Sequence, residues 1–121
     1  MAWNNILGKR GEELAVSFLE KKGYQILETN WRFGRAELDI IAKDGEILVF
    51  VEVKTRNNNH FGAPEIAVDQ KKEDAMASAG AAYMRAIHHD WEVRFDIISI
   101  LYSNEKDFHI THFEDAFFPY D

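Results

Sequence analysis

The sequence predicts an α/β fold in which helices flank a mixed central sheet. Two segments carry apolar residues at helical spacing, and the other segments are short apolar runs bounded by turn residues, which is typical of strands. These elements come in the order helix, three strands, helix, and one or two strands. An order of this kind places helices over a single sheet.

The first helix is predicted from about Ile6 to Lys22. One side of it is apolar, and its charged residues lie mostly on the other side. Gly23 follows the pattern, as expected of a glycine that ends a helix. The apolar side is formed by Leu7, Leu14, Ala15 and Phe18.

Three strands are predicted next, at residues 24–32, 36–42 and 46–55. Between the last two, Lys43-Asp44-Gly45-Glu46 contains Asp-Gly, which predicts a tight antiparallel turn. Residues 57–64 include three asparagines, a glycine and a proline without periodicity, so we expect a mobile loop there. Loops in such positions often contact substrate.

Asp69 is predicted to cap a second helix that ends at about His88. Strands are expected at residues 91–100 and 108–113, the second of them short. The tail at residues 116–121 is strongly aromatic. We expect it to pack on the body of the protein or on a second subunit, because a large exposed apolar patch is unusual.

The composition bounds the class of protein. A length of 121 residues suits one globular domain, which we expect over residues 1–121. The chain has no cysteine, which excludes disulfides and thiolate metal sites. It has neither a run of about 18 apolar residues nor a signal-peptide pattern, so we expect a cytoplasmic protein with no membrane partner.

The net charge of −7 argues against a protein that simply coats nucleic acid, because such binding depends on neutralising phosphates. Basic residues are nevertheless locally dense. Arg32 and Arg35 are near each other in sequence, and so are Lys54 and Arg56. A local basic rim on an acidic protein would bind nucleic acid weakly and with strong salt dependence.

The hairpin of the second and third predicted strands carries charges where a buried strand should carry none. Glu37 and Asp39 share one face of the second strand, and Glu52 and Lys54 share one face of the third. Pairing across the turn can bring Asp39 and Glu52 together. Because buried charges need partners, two converging carboxylates indicate an all-oxygen site for Mg²⁺ or Mn²⁺.

Such a site suits hydrolysis of a phosphodiester. The metal would lower the pKa of a bound water, and Lys54 would position the hydroxide or stabilise the phosphate oxygens. The alternative is a Glu-Lys pair on an exposed sheet face, with Asp39 as a surface residue near the turn. Apolar neighbours on both faces of the third strand favour the buried site.

The chain resembles the PD-(D/E)XK, or restriction-endonuclease-like, superfamily, in which an acidic residue on one strand precedes Glu-x-Lys on the next. Asp39 and Glu52-Val53-Lys54 match that motif. More narrowly, the chain is similar to the YraN-like family of small bacterial proteins. The similarity covers nearly the whole chain, in the blocks Gly11-Glu12-x-x-Ala15, Asn30-Trp31-Arg32, 37–42, 50–56, Phe61-Gly62, Lys72 with Ala79 and Tyr83, and Arg94-Phe95-Asp96.

The resemblance implies a restriction-endonuclease-like αβββαβ core and a role for each matched residue. Asp39 and Glu52 would be metal ligands, and Lys54 the catalytic lysine. Glu12 would be the first-helix acid that completes the metal site in members similar to Holliday-junction resolvases. Glu37, in register with Asp39, would be a further ligand or a hydrogen-bond acceptor behind the ligands.

DNA is the partner that the resemblance implies, with branched or recombination intermediates as candidate substrates. Arg32, Arg56 and Lys72 are candidate contacts to its phosphates, although ordinary solvated charges explain them equally well. The competing function is a non-catalytic module that binds nucleic acid or protein with the same fold. A homodimer would suit an enzyme that cuts two strands or grips a junction symmetrically.

Other residues that could carry chemistry are assigned to simpler roles. Glu12 and Glu13 are neighbours on a helix, so one of them at most faces the sheet, and the resemblance selects Glu12. His109 and His112 would face opposite sides of a strand, which does not suit zinc, so the five histidines are expected to be structural or solvated. The three tryptophans are expected in the core or at an interface.

Overall fold

The computed structural model describes the backbone of residues 3–57 and 68–120, and their side chains from residue 6 onward. The expected loop at residues 57–64, apart from its first residue, and the Phe61-Gly62 block lie outside these ranges, as does the side chain of Trp3. The elements are α1 (Trp3–Lys21), β1 (Gln25–Phe33), β2 (Ala36–Asp44), β3 (Ile47–Asn57), α2 (Gln70–Ala86), β4 (Val93–Asn104) and β5 (Asp107–Phe117). The predicted α/β order, with an αβββαβ core, is confirmed.

The five strands form one sheet in which strand order follows chain order, from β1 to β5. Neighbouring strands are antiparallel except β3 and β4, which are parallel because the chain crosses over through α2 between them. The predicted Asp-Gly turn joins β2 to β3, with Gly45 at a φ of 62°. The sheet is therefore mixed, as predicted.

Each face of the sheet is covered by one helix. Under α1 the apolar core is centred on Leu19 and Val51, and under α2 it is centred on Phe50 and Phe95. Asp69 caps α2 as predicted, since its carboxylate accepts a hydrogen bond from the backbone N–H of Lys72. Among the described residues, none of the helices is long and apolar enough to cross a membrane.

Gly11 sets the distance between α1 and β3. A Cβ atom at this position would lie 1.8 Å from Oγ1 of Thr55 on the strand. Helix and strand therefore approach more closely than a side chain at residue 11 would permit. This close approach holds the following residue, Glu12, beside the sheet.

A buried polar network joins β4 to β5. Asp96 is fully buried and accepts hydrogen bonds from Arg94 at 2.8 Å and from the Asp115 backbone at 3.0 Å, while its Oδ2 lies 2.7 Å from Nε2 of His112. Burial would raise the pKa of Asp96, but the hydrogen bonds from His112 and Arg94 outweigh burial and keep this pKa below its usual range. His112 thus has the structural role expected of it.

The aromatic tail packs on the body of the protein. The Tyr120 hydroxyl donates a hydrogen bond to the carbonyl of Ala77 at 2.9 Å, and the Tyr120 ring meets Phe95 edge-on at 5.5 Å. β5 is longer than expected, because Phe117 pairs with Phe95 beyond a register shift. The first of the two placements expected for the tail is the one the structure shows.

Candidate metal centre

The sheet opens between β2 and β3 at the point where Asp39 and Glu52 lie. From the turn, the two strands pair as far as Ile40 and Val51. Beyond these residues β2 continues beside β1, and β3 continues beside β4. The backbone N–H of Val53 donates a hydrogen bond to Oδ2 of Asp39 at 2.8 Å, so the carboxylate bridges the opening.

Asp39 and Glu52 form a buried carboxylate pair. Asp39 is 8% exposed, and the side chain of Glu52 is 12% exposed. Burial, the charge of Glu52 and a hydrogen bond between the two carboxyl groups raise the pKa of Asp39 to about 7, against the Val53 N–H and the charge of Lys72, which lower it. The pairing expected from strand register therefore exists in the structure.

One carboxylate oxygen of the pair has no hydrogen-bond partner within the described part of the chain. Oε2 of Glu52 lies 3.4 Å from Nζ of Lys72 on α2. Oε1 of Glu52 is buried and has no hydrogen-bond partner among the residues that the structure describes. A shared proton or a bound cation would relieve an unsatisfied, buried carboxylate oxygen beside a second carboxylate, and the two acidic side chains fit a divalent metal ion because such ions take oxygen ligands.

Glu12 approaches the pair from α1. Burial, followed by the charges of Asp39 and Glu37, raises the pKa of Glu12 to about 7. Oε1 of Glu12 accepts a hydrogen bond from Nδ2 of Asn30 at 2.8 Å. The adjacent Glu13 is exposed and pairs with Arg10, so Glu12 is the acid that faces the sheet.

Asn30 is a site residue that sequence reasoning did not identify. Its φ is 52°, a left-handed conformation that asparagine adopts more readily than most residues. This conformation occurs inside β1, where asparagine is uncommon. The available signal in the sequence was therefore an asparagine within a predicted strand. In the structure, the hydrogen bond from Asn30 fixes the orientation of the Glu12 carboxylate.

Lys54 and Arg56 continue the face of β3 that carries Glu52, because the three residues alternate along one strand. Both side chains are partly buried.

Glu37 lies on β2 and pairs with Arg32 on β1 at 3.4 Å. Among the residues that the structure describes, no three histidine, cysteine, aspartate or glutamate side chains form a ready metal-binding cluster. The adjacent pair is thus Asp39 and Glu52, and Glu12 and Glu37 add negative charge nearby.

A basic cleft adjoins the carboxylate pair, between the β1–β2 turn and the start of α2. Its volume is about 420 Å³, and four of its lining residues are basic, namely Arg32, Arg35, Lys71 and Lys72. Sequence reasoning placed Arg32 and Lys72 near DNA but did not place Lys71 there. A larger hollow of about 610 Å³ lies at the end of α2 beside Met84 and His88, away from the carboxylate pair.

Comparison with known proteins identifies the family. Residues 11–100 match the uncharacterised protein family UPF0102. The chain belongs to this family. Its UPF0102 relatives include a protein of Flavobacterium psychrophilum that is 52% identical over 120 residues, covering 99% of this chain and 100% of the relative.

Other UPF0102 relatives match over similar lengths. One from Bacteroides thetaiotaomicron is 49% identical over 119 residues, covering 98% of each chain. Another, from Thermodesulfovibrio yellowstonii, is 45% identical over 112 residues, covering 93% of this chain and 96% of the relative. The YraN-like resemblance is thereby confirmed, while the UPF0102 names state no activity.

Proposed function

We propose that this UPF0102 protein is a Mg²⁺- or Mn²⁺-dependent nuclease that hydrolyses phosphodiester bonds in DNA, with branched or recombination intermediates as candidate substrates. The observation that carries the proposal is the buried pair of Asp39 and Glu52, with the unpartnered Oε1 of Glu52. Two adjacent carboxylates repel each other when ionised, and a divalent cation would relieve both the repulsion and the missing contact.

The residues of the site suggest a division of roles. Asp39 and Glu52 would hold the ion, and Glu12 and Glu37 would add to the negative charge that attracts it. When bound, the ion would lower the pKa of a coordinated water and offset the negative charge of the phosphate. Lys54, on the same face as Glu52, would orient the attacking hydroxide or stabilise the phosphate oxygens. Arg32, Arg56 and Lys72 are the proposed contacts to DNA phosphates.

A second candidate is a non-catalytic module that binds nucleic acid or protein through the same surface. The net charge of −7 favours this candidate, because it opposes tight binding to DNA. In such a module Asp39, Glu52 and Lys54 would form a structural ion network, which Lys72 would join through Glu52. The ion pair between Lys72 and Glu52 is compatible with that network.

Cleavage of junction, flap and single-stranded DNA with Mn²⁺ distinguishes the two candidates. We expect wild-type protein to cut, and Glu52→Gln and Lys54→Ala each to reduce the rate at least about a hundredfold, because each removes a group that acts on the reacting phosphate. Glu13→Gln is the matched control, since Glu13 is an exposed acid next to Glu12.

Two results would contradict the nuclease. Equal cutting by wild type, Glu52→Gln and Lys54→Ala would indicate a contaminating enzyme. Binding of DNA by wild type without any cutting in Mn²⁺ or Mg²⁺ would favour the non-catalytic module.

A further inference from the structure

Lys72 lies beside the carboxylate pair and also lines the basic cleft. Its Nζ lies 3.4 Å from Oε2 of Glu52, and its side chain is 42% exposed and lines the basic cleft. The backbone of Lys72 is fixed, because its N–H donates a hydrogen bond to the Asp69 carboxylate that caps α2. The side chain can therefore reach either Glu52 or a ligand in the cleft from one backbone position.

A metal ion and Lys72 compete for Glu52. A divalent cation carries twice the charge of the ammonium and would bind the same carboxylate group, whose Oε2 faces Lys72 and whose Oε1 has no hydrogen-bond partner among the described residues. It would also repel the ammonium. The cleft offers the displaced lysine a place beside three other basic side chains, of which Arg32 already pairs with Glu37. A phosphate group there would offset the remaining positive charge.

We propose that Lys72 passes from Glu52 to a DNA strand when the carboxylate pair binds a metal ion, and that it then binds a phosphate in the cleft together with Arg35 and Lys71. The proposal rests on the proposed function, because it takes Asp39 and Glu52 as metal ligands. Binding of the metal ion then raises the affinity for DNA. By thermodynamic linkage, binding of DNA raises the affinity for the metal ion by the same factor.

The cleft suits an unpaired strand. A volume of about 420 Å³ is in the range of sites for small ligands and has room for about one or two nucleotides of a strand. Phe33 pairs with Ala36 at the cleft, is 46% exposed, and stacks on Trp31 with an interplanar angle of 4°. An exposed, supported aromatic ring beside basic residues is a platform for an unpaired base.

Calorimetric titration with Ca²⁺ alone tests the competition. Lys72→Met should bind Ca²⁺ about three- to tenfold more tightly than wild type, because the competing ammonium has been removed. Lys71→Met is the matched control from the same turn of α2 and should leave Ca²⁺ affinity unchanged. Lys72→Arg should behave as wild type, since it keeps the positive charge.

Fluorescence anisotropy with a labelled single-stranded DNA oligonucleotide tests the transfer, with a gel to verify that the oligonucleotide stays intact. Saturating Ca²⁺ should tighten binding to wild type about tenfold. Lys71→Met should weaken binding but keep this gain, whereas Lys72→Met should lose most of it. A duplex of the same sequence should bind more weakly than the single strand.

The outcomes separate this proposal from the nuclease itself. Wild-type affinity of Lys72→Met for Ca²⁺, or an undiminished Ca²⁺ gain in that variant, would overturn the transfer of Lys72 and leave the nuclease in place. Equal or tighter binding of duplex would overturn the assignment of an unpaired strand. Failure of the wild-type protein to bind Ca²⁺ or Mg²⁺ would overturn both proposals.

Discussion

Burial of Asp39 beside Glu52 lowers the stability of the folded protein when Asp39 is ionised. Its pKa is raised to about 7 by burial and by Glu52, from an ordinary value of 3.8. The folded protein therefore binds a proton at Asp39 more tightly than the unfolded chain does. It loses stability as the pH rises from about 4 to about 7, and the penalty stays constant above that range.

Asp39→Asn should remove this penalty. We expect the free energy of unfolding to rise by about 1–3 kcal/mol at pH 8 and to change little at pH 4, measured by urea denaturation. The asparagine carbonyl can still accept the hydrogen bond from Val53. If the proposed function holds, nuclease activity should also be lost in this variant, since it removes a proposed metal ligand.

Asp107→Asn is the control, because Asp107 is exposed at the start of β5. It should show no comparable gain between pH 4 and pH 8. Destabilisation of Asp39→Asn at pH 8 would show that the charge of Asp39 is compensated within the fold.

The proximity of Asp39 and Glu52 could be predicted from the sequence, and the surroundings of this pair could not. Asp39, Glu52 and Lys54 are conspicuous because they interrupt apolar strands. The contacts of Glu12 with Asn30 and of Lys72 with Glu52 depend on how α1 and α2 lie on the sheet. Local sequence does not encode that placement, so Lys71 carried no clear signal, and the only signal for Asn30 was an asparagine within a predicted strand.

At the scale of elements, α1 and β3 approach each other closely at Gly11. Gly11→Ala would place a methyl group on Thr55 and force the helix away from the strand. We expect a loss of about 1–3 kcal/mol in the free energy of unfolding. Activity should fall further than stability explains, because Glu12 would move with the helix.

Gly8→Ala is the matched control in the same helix, since a Cβ at that position would meet no described atom within 4 Å apart from its chain neighbours and the backbone of its own helix. It should stabilise the protein by about 0.5–1 kcal/mol through helix propensity alone. Thr55→Gly should partly restore Gly11→Ala. Equal stability of the two alanine variants would show that α1 adjusts without strain.

The elements themselves could be predicted to within a few residues at most ends. The predicted α2 began at its observed cap, and the Asp-Gly turn was found where expected. β5 was underestimated because its last residues pair with β4 through a contact that is distant in sequence. The opening of the sheet at Asp39 is likewise a property of strand pairing and twist, which residue patterns do not specify.

For the whole molecule, the charge distribution would limit the affinity of the proposed DNA binding. The protein carries a net charge of −7, and two of the four basic residues in the cleft already pair with Glu37 and Glu52. We expect single-stranded DNA to bind with a slope of log affinity against log salt of about −1 to −3. Anisotropy over a series of salt concentrations measures this slope.

Arg35→Met should make the slope shallower by about 0.7, which is the contribution of one phosphate contact on a single strand. Arg85→Met, at the other end of α2, should leave the slope unchanged. A wild-type slope steeper than about −5 would mean that DNA contacts a longer series of basic residues.

The homodimer stays a prediction, which sedimentation analysis of the mass in solution would test.

The agreement between strand order and chain order has a consequence for folding kinetics. β1 to β3 and β4 to β5 are successive hairpins of low contact order, whereas joining β3 to β4 must close a long loop through α2. We expect that late joining step to limit the folding rate. Asp39 and Glu52 both belong to the first hairpin unit, so the nascent chain would bring its two like charges together before the rest of the protein has formed.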